Sequence, residues 1–586
     1  MKNKLFLGKP LSFFALVLPC DPAPAIANTA SHFVKYIKEA TGSDLKTVNG
    51  GEKFEYEICI GQTDRDTEKV ISARNSLKYN GIAIVADGTK IYLTGADVLG
   101  TIYSMYTFLE DYLGFRFYAN DFHIYKNKYS KEFPSDLNYT YSPVFEGRDT
   151  DWVDVQYGSA KPYGNEFDLE FCNALKINGY YARYQGDYDR FGGSFRFSGN
   201  GAAHTIGGLA ESDAMQPCLS DENVFQTVLK NVRKILENEP TAKIVDVSMN
   251  DNWEFCKCEK CDALDRAEAP PPYVGQPNPM GTMLSFVNRV AREIKKDYPN
   301  VYISTLAYMY TKVPPVTIVP EDNVIIRLCN IECCFAHPLS DPDCSHRGGV
   351  NAEYINNLKA WSKLAKKLYI WDYTTNFFNY LHSFPNLHVL WDNIQTFKDN
   401  NAVAVFEEGN RDSFKAEFAE LRAYLLAKLM WNPHMSKDEY YQMMDEYLQD
   451  FYGSAWKYVR EFIDITSEAA RRNHMGIYSS PYEYLRSESG SEEDDKAFVL
   501  KLVDLWNKAL ECADNDIIRK HIRHARTQTE ILYLQRYYNE ETDKERADEL
   551  YSDLEEMKAF CLHEWERHLF PTRENFVKGP AHWVKI

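Results

Sequence analysis

Residues Lys243–Cys261 read KIVDVSMNDNWEFCKCEKC, and the rest of the chain is understood outward from them. Ile244, Val245 and Val247 are apolar and β-branched, the pattern of a short buried strand. The strand runs at once into Ser248, Asn250, Asp251, Asn252, Trp253 and Glu254. A buried strand that ends in carboxylates, amides and an indole is what an α/β enzyme presents at the carboxyl edge of a parallel sheet or barrel, where substrates bind. A second stretch repeats the arrangement: Val403-Ala404-Val405-Phe406, then Glu407-Glu408-Gly409-Asn410. The expectation is that these two strand ends meet across one pocket.

On both sides of the opening stretch, strand and helix patterns alternate. Strands are expected from Val144, Tyr180, Lys243, Val301, Val324, Leu368 and Ala402, with an eighth in Ser194–Phe197. The intervening Asp221–Glu237, Thr282–Lys296, Tyr354–Lys366 and Leu387–Lys398 carry helical spacing. Parallel strands joined by helices over this length predict a TIM-type (β/α)8-like barrel spanning 141–435. Residues 1–140 read as a small N-terminal α/β domain, closed by a polar linker at Pro134–Pro143. Residues 436–586 read as an all-helical C-terminal region. Its Gly476–Asp495 loop carries Tyr478, Tyr482 and Tyr484 and is expected to close one side of the cleft.

The 586-residue chain has a net charge of −19, which argues against nucleic acid as a partner, because phosphate binding needs basic surface. No apolar run reaches the roughly 20 residues of a membrane helix. The thirteen cysteines are scattered, as in a reduced, cytosolic protein rather than a disulfide framework. Gly8-Lys9-Pro10 breaks the only signal-like segment, so an unprocessed cytoplasmic chain is expected, with no cofactor. Of the 40 Tyr, 33 Phe and 10 Trp, much of the surplus is expected in the core, but carbohydrate pockets also use flat aromatic faces.

Candidate chemistry gathers at the strand ends. Asp149, Asp151, Asp251, Glu254, Glu332, Asp372, Glu407 and Glu408 all stand there. Glycosidic cleavage needs two such carboxylates, one to protonate the leaving oxygen and one to stabilise or attack the anomeric centre. For any single one, capping or loop hydrogen bonding is the more frequent role. Asp251 and Glu407 are the leading pair, because each follows directly on an apolar strand; Glu254 is the alternative acid. Glu407 and Glu408 must point to opposite sides of a strand. Glu407 is taken as the inward one, with Glu408 kept among the substrate contacts. Asn252 is placed to orient a hydroxyl or acetamido group, and His204, His337 and His382 to bind hydroxyls. Asp372 is a further polar contact. Trp152, Trp253, Tyr308, Trp371 and Tyr373 are candidates for stacking on a sugar face or, equally, for lids on the core. Cys256, Cys258 and Cys261 have C-x-C and C-x-x-C spacing, but zinc needs a fourth ligand. A thiol cluster is the first reading; Cys218, Cys333, Cys334 or a histidine would be needed to complete a structural zinc site.

Taken together, SMNDNWEFCKCEKC, MLSFVNRVAREIKKDYPN, STLAYMYTKVPP, NIECCFAHPL, WDYTTNFFNYLHSFPNL, AVFEEGN and LRAYLLAKLMWNP resemble the domain-of-unknown-function family 4838. Part of that family is classed among glycoside hydrolases as endo-β-N-acetylglucosaminidases. GTIYSMYTFLEDYLGFRFY resembles the end of the small α/β domain that precedes the barrel in β-hexosaminidases and α-glucuronidases. The resemblance implies a retaining mechanism on N-acetylhexosamine-containing oligosaccharides, in which the substrate's own acetamido oxygen attacks the anomeric carbon. One carboxylate polarises that group and another serves as acid/base. The competing expectations are a non-catalytic carbohydrate-binding protein and a zinc-dependent hydrolase built on Cys256, Cys258 and Cys261.

Overall fold

A computed structural model describes residues 4–156, 169–183, 197–214, 216–410, 417–557 and 572–580, with a few single positions between them. The N-terminal part is a six-stranded mixed sheet in the order Asn138–Tyr141, Ile82–Asp87, Lys90–Gly95, Tyr56–Ile60, Phe14–Leu18, Lys46–Asn49. Helices Pro24–Thr41 and Val98–Leu113 each end at a glycine in the left-handed region, Gly42 (φ 75°) and Gly114 (φ 71°). Both are conformations that a β-carbon disfavours. The expected linker at Pro134–Pro143 is in part a strand: Asn138–Tyr141 pairs antiparallel with Ile82–Val85 at the sheet edge. Its tyrosines and threonine suit an exposed edge.

Helix Val98–Leu113 is buried almost throughout, because it lies between the two halves of the molecule. Tyr106 donates to Glu170, and the Tyr103 hydroxyl donates to the Ile177 carbonyl. Glu110 is held between Lys176 and Lys428.

The second sheet carries six parallel strands in the order Gly147–Thr150, Ala402–Glu408, Lys367–Tyr373, Val324–Cys329, Tyr302–Ala307, Ile244–Asp246. It curves into a half-barrel. Irregular backbone crosses the gap between its edges: Gly179 N donates to Arg148 O (2.9 Å), Phe195 N to Asn178 O (2.7 Å) and Ser198 N to Ile244 O (2.8 Å). Ile244, Ile325, Tyr369, Ala404 and Phe406 fill the concave side together with Phe197 and Ala202. Helices Met280–Asp297, Val350–Leu364, Leu390–Asp399 and Ala419–Trp431 cover the convex side.

Two expected strands are not strands. Of Ser194–Phe197, Phe197 makes one isolated parallel bridge with Ile244, while Ser194 and Arg196 lie outside the described residues. The stretch from Tyr180 is a helical turn, Tyr180–Arg183. Its cause is Asp149, whose carboxylate accepts Tyr181 N and Ala182 N, both at 3.0 Å. An acceptor at the start of a turn favours helical over ladder geometry. Gly179 makes this possible, since a β-carbon there would stand 2.0 Å from Asp149 Cγ.

Beyond Asn432 the described chain is helical: Lys437–Tyr452, Trp456–Asn473, Glu492–Glu511, Asp516–Tyr537 and Lys544–Met557. Ser436 and Glu439 form a reciprocal capping box at the first of these. The last was expected to run to His568, but residues 558–571 lie outside those described. Among the described residues, no helix is long and apolar enough to cross a membrane.

Candidate active site

A cavity of about 200 Å³ opens at the carboxyl edge of the parallel sheet. This is room for several waters. Three carboxylates line it: Asp151 after the Gly147–Thr150 strand, Asp251 beyond Ile244–Asp246, and Glu408 at the end of Ala402–Glu408. Tyr181, Tyr308, Trp371, Tyr373, Phe377 and Tyr478 form its aromatic wall, and His204 completes its polar side.

The two-residue period of a strand selects these side chains. Trp371 and Tyr373 face the cavity from one strand and Glu408 from its neighbour, with Tyr373 opposite Glu408 in the parallel register. The intervening Asp372 and Glu407, also opposite each other, therefore turn to the helix-covered side. This corrects the expected choice between the adjacent glutamates: Glu408 faces the cavity, and Glu407 is buried behind the sheet at 1 % exposure.

Each cavity carboxylate has a defined partner. Trp371 Nε1 donates to Glu408 Oε2 at 2.5 Å. Gly409 N donates to Asp151 Oδ1 at 2.5 Å. The Tyr308 phenol lies beside Asp251; burial first, and then that neighbouring charge, push it well above its ordinary range. His204 is anchored by its backbone N to Ser248 Oγ (2.9 Å) and by its ring Nδ1 at Met249 O (2.9 Å). Below this layer lies Arg327, fully buried, with Nη1 3.6 Å from Asp246 Oδ1 and its guanidinium 4.8 Å from the Trp371 ring centre. It places positive charge under the carboxylates. Burial raises the Asp246 carboxyl, which the arginine opposes. Burial also pushes Asp149, one layer down, up to about 6, against the three backbone N–H groups it accepts.

The remaining expected residues stand elsewhere. Asp372 accepts Asn330 Nδ2 at 2.6 Å behind the sheet. As two carboxylates, it and Glu407 would leave both Glu407 oxygens without a donor. A proton on Glu407 donated to Asp372 pairs one of these oxygens, and burial together with the Asp372 charge raises Glu407 well above the ordinary carboxyl range. Trp152 is no stacking platform: it is fully buried, and its Nε1 donates to Thr374 Oγ1 at 3.0 Å. Trp253 is 61 % exposed and leans on Tyr310 outside the cavity. Asn252 meets Gln216 Nε2 (3.2 Å) and caps Glu254 N (2.9 Å), and the exposed Glu254 is not on the cavity wall. His337 is buried beside Cys334, and His382 beside Gln535. The strand-end positions carried no signal for Tyr181 and Phe377. One was read as a strand and the other stands in a loop; the alternation Tyr369, Trp371, Tyr373 could have been extended to Phe377 only with the loop geometry known.

Two sets of metal-ligand side chains converge away from the cavity. Cys218 joins Cys256, Cys258 and Cys261, and a second set comprises Cys334, His337, Cys344 and His474. In each set the ligand atoms lie within 4.8 Å of one another.

The family model described as domain of unknown function (DUF4838) matches residues 117–464, more than half of the chain. No curated protein sequence matches it. Among solved structures, a family GH115 4-O-methyl-α-glucuronidase with specificity for decorated arabinogalactans superposes with a TM-score of 0.54 at 11% identity, over 92% of this chain and 73% of that one. A GH138 enzyme targeting pectin rhamnogalacturonan II gives 0.41 at 12% identity, over 97% and 76%. The protein CpGH84B gives 0.45 at 12% identity, over 96% of each chain.

Proposed function

We propose that this chain, which belongs to the domain-of-unknown-function family 4838, is a glycoside hydrolase acting on oligosaccharides that contain β-linked N-acetylhexosamine. The observation that carries the reading is the convergence of Asp151, Asp251 and Glu408, from three separate strand ends, on one aromatic-walled cavity of about 200 Å³. A fold shared with a glucuronidase supports the reaction class. The sugar rests on the sequence resemblance. In the same reading, the irregular backbone at 178–179, 195 and 197–198 completes an eight-membered barrel, preceded by an α/β domain and followed by a helical one.

The roles follow from position. Glu408, nearly buried and bonded to the Trp371 indole, is the ionised group that holds the acetamido function as its oxygen attacks the anomeric carbon. Asp251 is exposed at the mouth, where a leaving sugar departs, beside the Tyr308 phenol. It protonates the leaving oxygen and then takes a proton from water. Asp151 binds ring hydroxyls. The flat faces of Trp371 and Tyr373 pack on the C–H side of the ring.

The test uses aryl N-acetylhexosaminides and N-glycan oligosaccharides with wild type, Glu408→Gln and Asp251→Asn. Glu408→Gln is expected to lose about 10²–10⁴-fold on every substrate. Asp251→Asn is expected to lose as much on oligosaccharides but little on aryl glycosides, whose leaving groups need no proton. Binding of acetamido sugars with no turnover by wild type would favour the carbohydrate-binding alternative. Turnover untouched by Glu408→Gln would sink the assignment.

A further inference from the structure

We propose that Cys334, His337, Cys344 and His474 form a structural zinc site that clamps the C-terminal helical region onto the rim of the half-barrel and fixes Tyr478 in the cavity wall. Cys334 Sγ lies 3.3 Å from His337 Nδ1 and 3.7 Å from His474 Nδ1, and Cys344 Sγ lies 3.8 Å from His474 Nδ1. Tetrahedral zinc, with bonds of about 2.3 Å to sulfur and 2.0–2.1 Å to nitrogen, sets neighbouring S and N ligands roughly 3.6 Å apart. Three of the six edges are near that length, and all four ligand atoms lie within 4.8 Å of one another. Two thiolates and two imidazoles select zinc over hard cations. Four protein ligands leave no open position, so the site is structural rather than catalytic.

Two further observations point to an ion. Cys334, Cys344 and His337 are buried at 0, 4 and 8 % exposure, and thiols are weak hydrogen-bond donors that would leave such a cluster poorly satisfied. His474, first residue beyond helix Trp456–Asn473, adopts φ 58°, ψ 157°, a region that a non-glycine residue enters only at a cost. That conformation aims its imidazole at the two sulfurs, and Ser345 Oγ, 3.3 Å from Nε2, holds the far side of the ring.

The segment beyond His474 shows what the clamp does. Phe335 N donates to Met475 O (2.8 Å) and Phe377 N to Ile477 O (2.9 Å), while Asn376 Nδ2 donates to Ser479 O (2.9 Å). Between these anchors Tyr478 enters the cavity wall. The metal thus couples the loop after strand Val324–Cys329 to a cavity residue supplied by the helical region.

The thiols of Cys218, Cys256, Cys258 and Cys261 support a second zinc site on separate geometry. Cys218 Sγ lies 3.7 Å from Cys258 Sγ and 3.9 Å from Cys261 Sγ, against about 3.8 Å for the edge of a tetrahedron with 2.3 Å zinc–sulfur bonds. This site fixes the loop that leads from Asp251 into helix Glu259–Ala267.

Elemental analysis of the full-length protein, purified without chelators, is expected to find one zinc for each set. Cys344→Ser should lose one equivalent, Cys258→Ser the other, and the double variant both. Cobalt(II) exchanged into the protein should give the visible bands of a tetrahedral thiolate complex. Hydrogen exchange before and after zinc release by a mercurial reagent is expected to show loss of protection at 334–344 and 474–480. This measurement needs only wild type, so it stands if the variants do not fold. Metal-free protein, iron in place of zinc, unchanged metal content in Cys344→Ser, or unchanged protection on zinc release would each overturn the clamp. None of these readouts depends on the proposed hydrolase activity.

Discussion

Glu407→Gln separates the two adjacent glutamates by a property that only one of them has. Glu407 stands opposite Asp372 behind the sheet, and Asp372 already accepts Asn330 Nδ2 (2.6 Å) and Tyr373 N (2.9 Å). Burial pushes Asp372 up to about 6, and burial with the Asp372 charge pushes Glu407 well above its ordinary 4.5. A carboxyl whose folded value is raised contributes stability that is fully present below its unfolded value and lost as pH rises toward the folded one. Each proton held by the folded but not the unfolded chain costs about 1.4 kcal/mol per pH unit. Glutamine keeps the shape, supplies an N–H donor for Asp372 and does not titrate. The stability of Glu407→Gln relative to wild type is therefore expected to climb by up to about 1.4 kcal/mol per unit from pH 5 upward. Guanidinium unfolding at half-unit pH steps measures this. Hydrolysis, if the proposed function holds, should stay within a few-fold of wild type. A relative stability that is flat or falling across pH 5–8 would refute the buried-proton argument and reopen Glu407 as an ionised, cavity-facing group.

The remaining expectations use the same geometry. Trp371→Phe removes the indole donor from Glu408, a charged hydrogen bond of roughly 1.5–3 kcal/mol; kcat/KM should fall about 10–100-fold. Trp152→Ala should cost about 3–5 kcal/mol of stability, and Trp152→Phe should leave KM unchanged, because this indole is core. An altered KM in Trp152→Phe would return it to the binding site. Gly179→Ala drives a β-carbon to 2.0 Å from Asp149 Cγ and should sharply lower soluble yield and melting temperature; a wild-type melt would show that the turn has room. Tyr308→Phe removes the hydroxyl neighbouring Asp251 and should slow poor leaving groups more than aryl ones.

The alternation of short apolar runs with amphipathic helices was legible in the chain, and so were the parallel sheet, the helical C-terminal region and the strand ends that carry carboxylates. These features depend on period and composition, which are local. That Glu407 and Glu408 must part company was also legible, since adjacent strand residues face opposite ways. Which of them faces the cavity was not, because parity within one strand has no absolute origin until its neighbours fix the register: Tyr373 opposite Glu408, Asp372 opposite Glu407. The turn at Tyr180–Arg183 was hidden for a related reason, as its cap is supplied by Asp149 from another element. Most distant of all was the meeting of Cys334, His337 and Cys344 with His474, some 130 residues further on. Sequence spacing shows ligand sets only when they are contiguous, as in Cys256, Cys258 and Cys261, and even there Cys218 had to be brought in by the fold. The sequence by itself determined which elements form and which residues crowd the sheet's carboxyl edge. Only the tertiary structure decided which side chains face the cavity, because that choice depends on register and on contacts between segments far apart in the chain.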